Sequence, residues 1–140
     1  MKIPLGPRDF QGTMPPMQLE RKRLRAEIAR NLGLFRGVIL VGPRQVGKTT
    51  LARTFLPVGT PNYFDLEDPA VAEQFRAPMT VLDSLRGLVV IDEVQHAPQL
   101  FKTLRVLMDR DDNPARFLLL GSASPASLRQ SGESLAGRVA

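Results

Sequence analysis

The stretch Gly42-Pro43-Arg44-Gln45-Val46-Gly47-Lys48-Thr49 decides the fold of this chain of 140 residues. It fits the pattern G-x-x-x-x-G-K-[ST], in which every fixed position has a physical task. Gly42 and Gly47 let the backbone turn tightly and approach a ligand closely. The N–H groups of the loop can then face phosphate oxygens. Lys48 places an ammonium beside the outer phosphates of a nucleotide, and Thr49 offers a hydroxyl to Mg²⁺. The pattern predicts a phosphate-binding loop.

The segments around this loop have the alternation that such a loop requires. Residues 38–41 form a β-branched run bounded by glycines, which is typical of a strand buried on both faces. A stretch compatible with a helix follows the loop to about Leu56. Further strands are predicted at residues 63–66, 88–91 and 117–120, and helices at 18–32 and from Asp68, Pro98 and Pro125. Strands that alternate with helices predict βαβ units and a parallel sheet.

Polar residues follow two of the predicted strands. Asp92 and Glu93 come directly after the apolar run 88–91, and Ser122 follows the run 117–120. Ligands of parallel sheets bind at the carboxyl ends of the strands. Asp92 is therefore predicted to hold Mg²⁺ and Glu93 to orient the attacking water. Ser122 is predicted to reach the outer phosphate or that water, with ordinary turn chemistry as the alternative.

Composition excludes several kinds of site. The chain has no cysteine and a single histidine, which excludes disulfides and thiol catalysis and disfavours a histidine-rich metal site. No apolar run approaches the ~20 residues of a spanning helix, so we expect a cytoplasmic protein without membrane contact. The net charge of +5 is uneven, since residues 1–62 carry +8 and the remainder −3. A basic segment at 18–36 leaves nucleic acid open as a partner.

These motifs together resemble the prokaryotic AAA-type ATPases whose members carry a C-terminal domain of unknown function. The resemblance extends from about Gln18 to the end of the chain. It rests on GPRQVGKTTL at 42–51, YFDLEDP at 63–69, IDEVQ at 91–95 and GSASP at 121–125. It implies an α/β P-loop NTPase sandwich of three layers, with a parallel sheet of the additional-strand type and strand order 5-1-4-3-2. It also implies ATP and Mg²⁺ as ligands.

The resemblance also assigns roles to individual residues. Lys48 and Thr49 match the Walker A positions, Asp92 and Glu93 match Walker B, and Ser122 matches the first sensor. Arg138 lies in a stretch that the family shares, so it is a candidate to act on the nucleotide of a neighbouring copy, with a surface arginine as the alternative. The implied set is then catalytic Glu93, Lys48, Ser122 and Arg138, metal-binding Thr49 and Asp92, and nucleotide-binding Gly42, Pro43, Arg44, Gln45, Val46, Gly47, Lys48, Thr49 and Thr50.

The chain departs from the family pattern in length. Residues 1–16, rich in proline and glycine, are predicted to be an irregular arm, and residues 17–140 an AAA-type domain that lacks the fifth strand. Without that strand, the 38–41 edge of the sheet would stay unpaired. We therefore expect an ATP-binding domain with little turnover of its own and a possible homo-oligomer. Two alternatives stay open, a basic nucleic-acid-binding module and a truncated fragment that binds but does not hydrolyse nucleotide.

Overall fold

The structure is a computed structural model that describes residues 16–122, 128 and 132–140. The arm predicted at 1–16 therefore lies outside the described residues except at Pro16, where the first helix begins. Most of the helix predicted from Pro125 lies outside them as well. The elements in chain order are α1 Pro16–Leu34, β1 Gly37–Val41, α2 Lys48–Arg53, β2 Tyr63–Asp65, α3 Pro69–Gln74, α4 Pro78–Leu82, β3 Gly87–Asp92, α5 Leu100–Asp109 and β4 Ala115–Gly121, with short 3₁₀ helices at Val94–His96 and Glu133–Leu135.

Four strands form one parallel sheet in the order β1-β4-β3-β2. Val38 lies opposite Leu118, and Val90 lies opposite both Leu118 and Tyr63. The last strand in sequence therefore lies between the first and the third, which separates β1 from β2. This order confirms the predicted arrangement 1-4-3-2 and brings the ends of β1, β4 and β3 together.

Helices cover both faces of the sheet, which confirms the three predicted layers. Side chains alternate along each strand, so neighbouring residues enter different cores. One core joins α3, α4 and α5 to Ile39, Val89, Ile91, Phe117 and Leu119. The other joins α1 and α2 to Val38, Leu40, Leu88, Val90, Leu118 and Leu120. Because Asp92 continues the series of Leu88 and Val90, it faces α2.

The predicted helices are confirmed with small differences at their ends. α1 extends two residues beyond each end of the predicted 18–32, and Gly33 lies inside its last turn. α2 ends at Arg53, because Thr54, Phe55 and Leu56 donate to carbonyls three residues back instead of four. Asp68 caps α3 by accepting a hydrogen bond from the N–H of Ala70 at 2.9 Å. The short helix α4 was not predicted.

The prediction of an unpaired edge on β1 is wrong for its first half. Val139 pairs with Gly37 in parallel orientation. Ile39 N donates to Ala140 O at 2.9 Å, and Ala140 N donates to Gly37 O at 3.1 Å. Residues 138–140 thus occupy the place beside β1 where the family pattern has its fifth strand. Val41, at the far end of the same strand, stays 40% exposed.

Candidate functional site

The loop at residues 42–49 connects the end of β1 to the start of α2. Two of its residues have left-handed backbone conformations, Gln45 with φ 62° and Gly47 with φ 91°. Glycine is the residue that adopts such angles without steric cost. These two turns curl the backbone between β1 and α2, and this is the loop shape in which successive N–H groups can face an anion.

Lys48 is the buried cation of this loop. Its side chain is 9% exposed. Its Nζ donates to Gly42 O at 2.9 Å and to Pro43 O at 2.6 Å. These carbonyl acceptors keep the buried ammonium hydrogen-bonded, which burial of a charge requires. The ammonium therefore lies at the inner side of the loop, where a phosphate would meet it.

Asp92 is the last residue of β3 and is 3% exposed. Its Oδ2 accepts hydrogen bonds from Thr49 Oγ1 at 2.5 Å and from Tyr63 Oη at 2.7 Å. Its Oδ1 accepts from the N–H of Glu93 at 2.9 Å. A buried carboxylate is thus held beside a threonine hydroxyl that lies 43 positions away in sequence.

Glu93 leaves the strand in a left-handed conformation with φ 56°. This turn carries its carboxylate toward β4, where Oε2 accepts hydrogen bonds from Ser122 Oγ at 2.6 Å and from Gln95 Nε2. Burial by itself favours the neutral acid. The hydrogen bonds from Ser122 and Gln95, helped by the charges of Arg44 and Lys48, outweigh burial and lower the pKa of Glu93. Glu93 is therefore ionised at neutral pH.

These groups surround a cleft of about 490 Å³ at the carboxyl ends of the strands. Its lining consists of Arg44, Gln45, Gly47, Lys48, Thr49, Thr50, Glu67 and Glu93. Cationic side chains and a loop of N–H groups fit the phosphates of a nucleotide. The cleft thus has the features that a phosphate site requires, and two carboxylates, those of Glu67 and Glu93, also line it.

The residues also fit Mg²⁺, which usually takes one or two carboxylates together with phosphate oxygens and water. The oxygens of Thr49 and Asp92 are hard ligands of this kind. Among the described residues there is no cluster of three or more His, Cys, Asp or Glu that could hold a metal without a phosphate partner. Any Mg²⁺ at this place would therefore depend on the nucleotide.

The structure brings most of the predicted site residues together. Residues 42–50, Asp92, Glu93 and Ser122 all lie at the carboxyl ends of β1, β3 and β4. Arg44 is 64% exposed and forms an ion pair with Glu67 at 3.7 Å, so its side chain lies at the rim of the cleft.

Arg138 is not brought to this site within one copy of the chain. Its carbonyl accepts hydrogen bonds from Arg36 N and Gly37 N, at the start of β1. The 42–49 loop follows the other end of that strand, which spans roughly 16 Å. The guanidinium instead binds Asp109 through two hydrogen bonds, Nε to Oδ1 at 2.5 Å and Nη2 to Oδ2 at 2.9 Å. A role on a neighbouring copy stays a prediction.

Two residues of the site were not predicted. Tyr63 was treated as part of a strand, but its hydroxyl reaches Asp92 because strand side chains lean along the strand and β2 lies beside β3. Gln95 donates to Glu93 and to Ser122, the latter at 3.1 Å. In sequence, Gln95 is a polar residue between the apolar residues Val94 and Ala97, which are both buried. This position was the signal that could have identified Gln95.

Residues 35–140 of the chain match a protein-family model described as AAA domain. Two curated relatives, each described as an uncharacterized protein, come from Mycobacterium tuberculosis and Mycobacterium bovis. Each is 49% identical over 123 residues, which is 88% of this chain and 28% of the relative. The chain thus spans little more than a quarter of the length of these relatives.

Among solved structures, the chain is similar to the P-loop NTPase domain of a sigma-54 transport activator from E. coli. The TM-score is 0.57 at 19% identity, and the match covers 91% of this chain and 96% of that one. At this level of identity the similarity shows a shared fold. Within the described residues, no helix has the length and apolar character needed to cross a membrane.

Proposed function

Because the chain belongs to the AAA domain family and has the P-loop NTPase fold, we propose that it binds ATP with Mg²⁺ at the 42–49 loop. The observation that carries this proposal is the convergence on one cleft of a buried ammonium, a hydroxyl–carboxylate pair and an ionised glutamate. Adenine as the base and hydrolysis as the reaction are suggested by the family and not by the cleft itself.

The binding step follows from the contacts of Lys48. When ATP enters the cradle, phosphate oxygens replace the carbonyls of Gly42 and Pro43 as acceptors for Nζ. A charge-assisted contact of this kind is stronger than one to a neutral carbonyl. Thr49 and Asp92 would hold Mg²⁺, which would supply positive charge against the phosphates. The N–H groups of the loop orient the phosphate chain.

The catalytic step is assigned to Glu93. The lowered pKa keeps Glu93 ionised, and an ionised carboxylate at this place can accept a hydrogen bond from a water molecule and orient it toward the outer phosphate. Ser122 and Gln95 fix the direction of its Oε2. We propose that the protein couples this hydrolysis to a task of its own, and we expect the 140 residues alone to turn over slowly.

The direct test is the affinity of the chain for Mg-ATP, measured by isothermal titration calorimetry with Lys48→Ala. Loss of a charge-assisted contact costs about 1.5–3 kcal/mol, so the dissociation constant should rise roughly tenfold to a hundredfold. Lys102→Ala is the matched control, because this substitution removes the same charge from an exposed position on α5. Equal affinities of wild type and Lys48→Ala would overturn the assignment.

A second measurement separates the metal site from the phosphate cradle. Asp92→Asn keeps the shape of the side chain and its capacity to accept a hydrogen bond, but removes the charge that Mg²⁺ requires. We expect ATP affinity to lose most of its dependence on Mg²⁺ in this variant while binding without metal is retained. An unchanged Mg²⁺ dependence would remove Asp92 from the metal site.

A further inference from the structure

One cation beside the loop takes no part in the function proposed above. The guanidinium of Arg21, on α1, lies directly against Gly47. A Cβ on residue 47 would stand 2.8 Å from Arg21 Nη2 and 3.5 Å from its Cζ. Glycine at position 47 therefore makes room for this side chain as well as for the turn of the loop.

Arg21 has no protein partner in the part of the chain that the structure describes. No hydrogen bond or ion pair joins its guanidinium to any described residue. Arg25, one turn further along α1, differs in this respect. Its Nε donates to Thr54 Oγ1 at 3.1 Å, and its Cζ lies 4.6 Å from the centre of the Phe55 ring. Arg25 thus attaches α1 to α2, whereas no N–H of the Arg21 guanidinium is bonded to a residue within 16–122, 128 or 132–140.

The position of Arg21 connects α1 to the cleft. On one side it lines a hollow with Gln45 and Val46, and on the other side a hollow with Thr50 and Leu51. Gln45 and Thr50 also line the phosphate cleft. Arg21 therefore stands at the outer wall of the cradle, across Gly47 from the interior that Lys48 occupies.

Carboxylates lie near both cations, Glu20 and Glu27 in the outer hollow of Arg21 and Glu67 and Glu93 in the cleft, but among the described residues none of them forms an ion pair with Arg21 or Lys48. The ammonium of Lys48 is bonded to carbonyls only, and the guanidinium of Arg21 to no described group. An arginine stays charged at every relevant pH, and its planar fork matches the oxygens of a phosphate. A phosphate chain bound at this loop would be attracted by both cations.

We propose that Arg21 is a second phosphate-binding cation of the nucleotide site, which makes α1 one of its walls. The inference rests on the proposed function, because its ligand is the phosphate chain of the nucleoside triphosphate bound at the 42–49 loop. It also gives a role to part of the basic cluster at residues 21–25. In that cluster Arg21 binds phosphate and Arg25 binds α2.

The test is calorimetric titration of Mg-ATP, and separately of inorganic tripolyphosphate with Mg²⁺, into wild type, Arg21→Gln and Arg30→Gln. Both variants remove one charge from an exposed position of α1, so the net charge is equal and only the place differs. Unchanged circular dichroism of the free variants shows that α1 still folds. Arg21→Lys is added, because it keeps the charge but loses the fork.

We expect Arg21→Gln to weaken both ligands about tenfold, as for loss of one charged hydrogen bond. Arg30→Gln should bind like wild type, and Arg21→Lys should lie between. Equal affinities of Arg21→Gln and Arg30→Gln would overturn the inference while leaving the proposed function intact. A loss seen with ATP but not with tripolyphosphate would overturn it too, since Arg21 would then contact the base or the ribose. Absence of ATP binding by the wild type would instead overturn the proposed function.

Discussion

At the scale of the residue, each of the two acidic side chains of the site is held by two side-chain hydrogen bonds. Asp92 accepts from Thr49 and Tyr63 on the same oxygen, and Glu93 accepts from Ser122 and Gln95 on a single oxygen. Each carboxylate is thus held from two sides before any ligand binds. Such preorganisation lowers the cost of arranging the groups when the nucleotide arrives.

Tyr63 provides a direct measurement of this arrangement, because the chain contains one tyrosine and no tryptophan. Burial and the neighbouring Asp92 carboxylate raise its pKa from 10.0 to about 12. Since the folded pKa exceeds the unfolded one, the stabilisation from Tyr63 is complete below pH 10 and is lost as the pH rises through about 12. Ultraviolet absorbance at the phenolate band should show a midpoint near 12 in the folded chain.

The same titration in denaturant supplies the control, with a midpoint near the ordinary ~10. A folded chain, verified by circular dichroism at each pH, that titrates near this ordinary value would contradict the hydrogen bond between Tyr63 and Asp92.

Tyr63→Phe should also lower the free energy of unfolding, by ~1–2 kcal/mol for loss of a hydrogen bond to a charged acceptor.

At the scale of the element, α5 and α1 show two uses of an apolar stripe. The apolar residues of α5 that recur at helical spacing are buried at all five positions, Leu100, Phe101, Leu104, Leu107 and Met108. In α1 the apolar residues Leu24, Ile28 and Leu32 recur every four positions, but only Ile28 is buried and Leu24 is 36% exposed. The reason is that α5 packs into the larger core together with α3 and α4, whereas the first half of α1 lies beside Gln45 and Val46 of the loop.

This difference gives a prediction for α5. Leu104 is fully buried and Val106, two residues later, is 49% exposed. Leu104→Ala should lower the free energy of unfolding by about 2–5 kcal/mol through lost burial and a cavity. Val106→Ala, the matched control, should stay within about 0.5 kcal/mol of wild type. Urea denaturation followed by circular dichroism measures both, and similar losses would show that α5 does not pack as described.

At the scale of the whole molecule, the sheet order places the three functional strand ends side by side. β4 lies between β1 and β3, so Ser122 lies between the loop and Glu93. The same order exposes the outer side of β1, where residues 138–140 begin to pair. The two halves of the β1 edge therefore differ. Residues Gly37–Ile39 are paired, whereas Val41 is exposed.

The whole molecule should also be stabilised by its ligand. A ligand that binds only the folded state adds ~2.7 kcal/mol at a concentration of 100 times its dissociation constant. Thermal melting of the 140-residue chain with Mg-ATP should therefore shift upward, on the order of 5–15 °C. Lys48→Ala measured at the same ATP concentration should show a smaller shift. A transition that Mg-ATP leaves unmoved would contradict nucleotide binding by the folded chain.

The sequence by itself determined the local features of this protein. The fixed positions of residues 42–49, the apolar runs and their alternation with helices predicted the loop, the parallel sheet and the ends of the strands where Asp92, Glu93 and Ser122 lie. These features are local, since each depends on residues within one loop, strand or turn, and the resemblance to a family supplied the strand order.

Only the tertiary structure decided which of these residues touch. Tyr63 meets Asp92 and Ser122 meets Glu93 across 29 positions in each case, and Arg21 meets Gly47 across two elements. Arg138 forms an ion pair with Asp109, which lies 29 positions earlier in sequence. This ion pair holds Arg138 at the end of the sheet opposite the 42–49 loop. Such contacts depend on the register between strands and on how a helix packs on them. Because many arrangements satisfy the same local periodicity, the side chains that complete the site were set by packing.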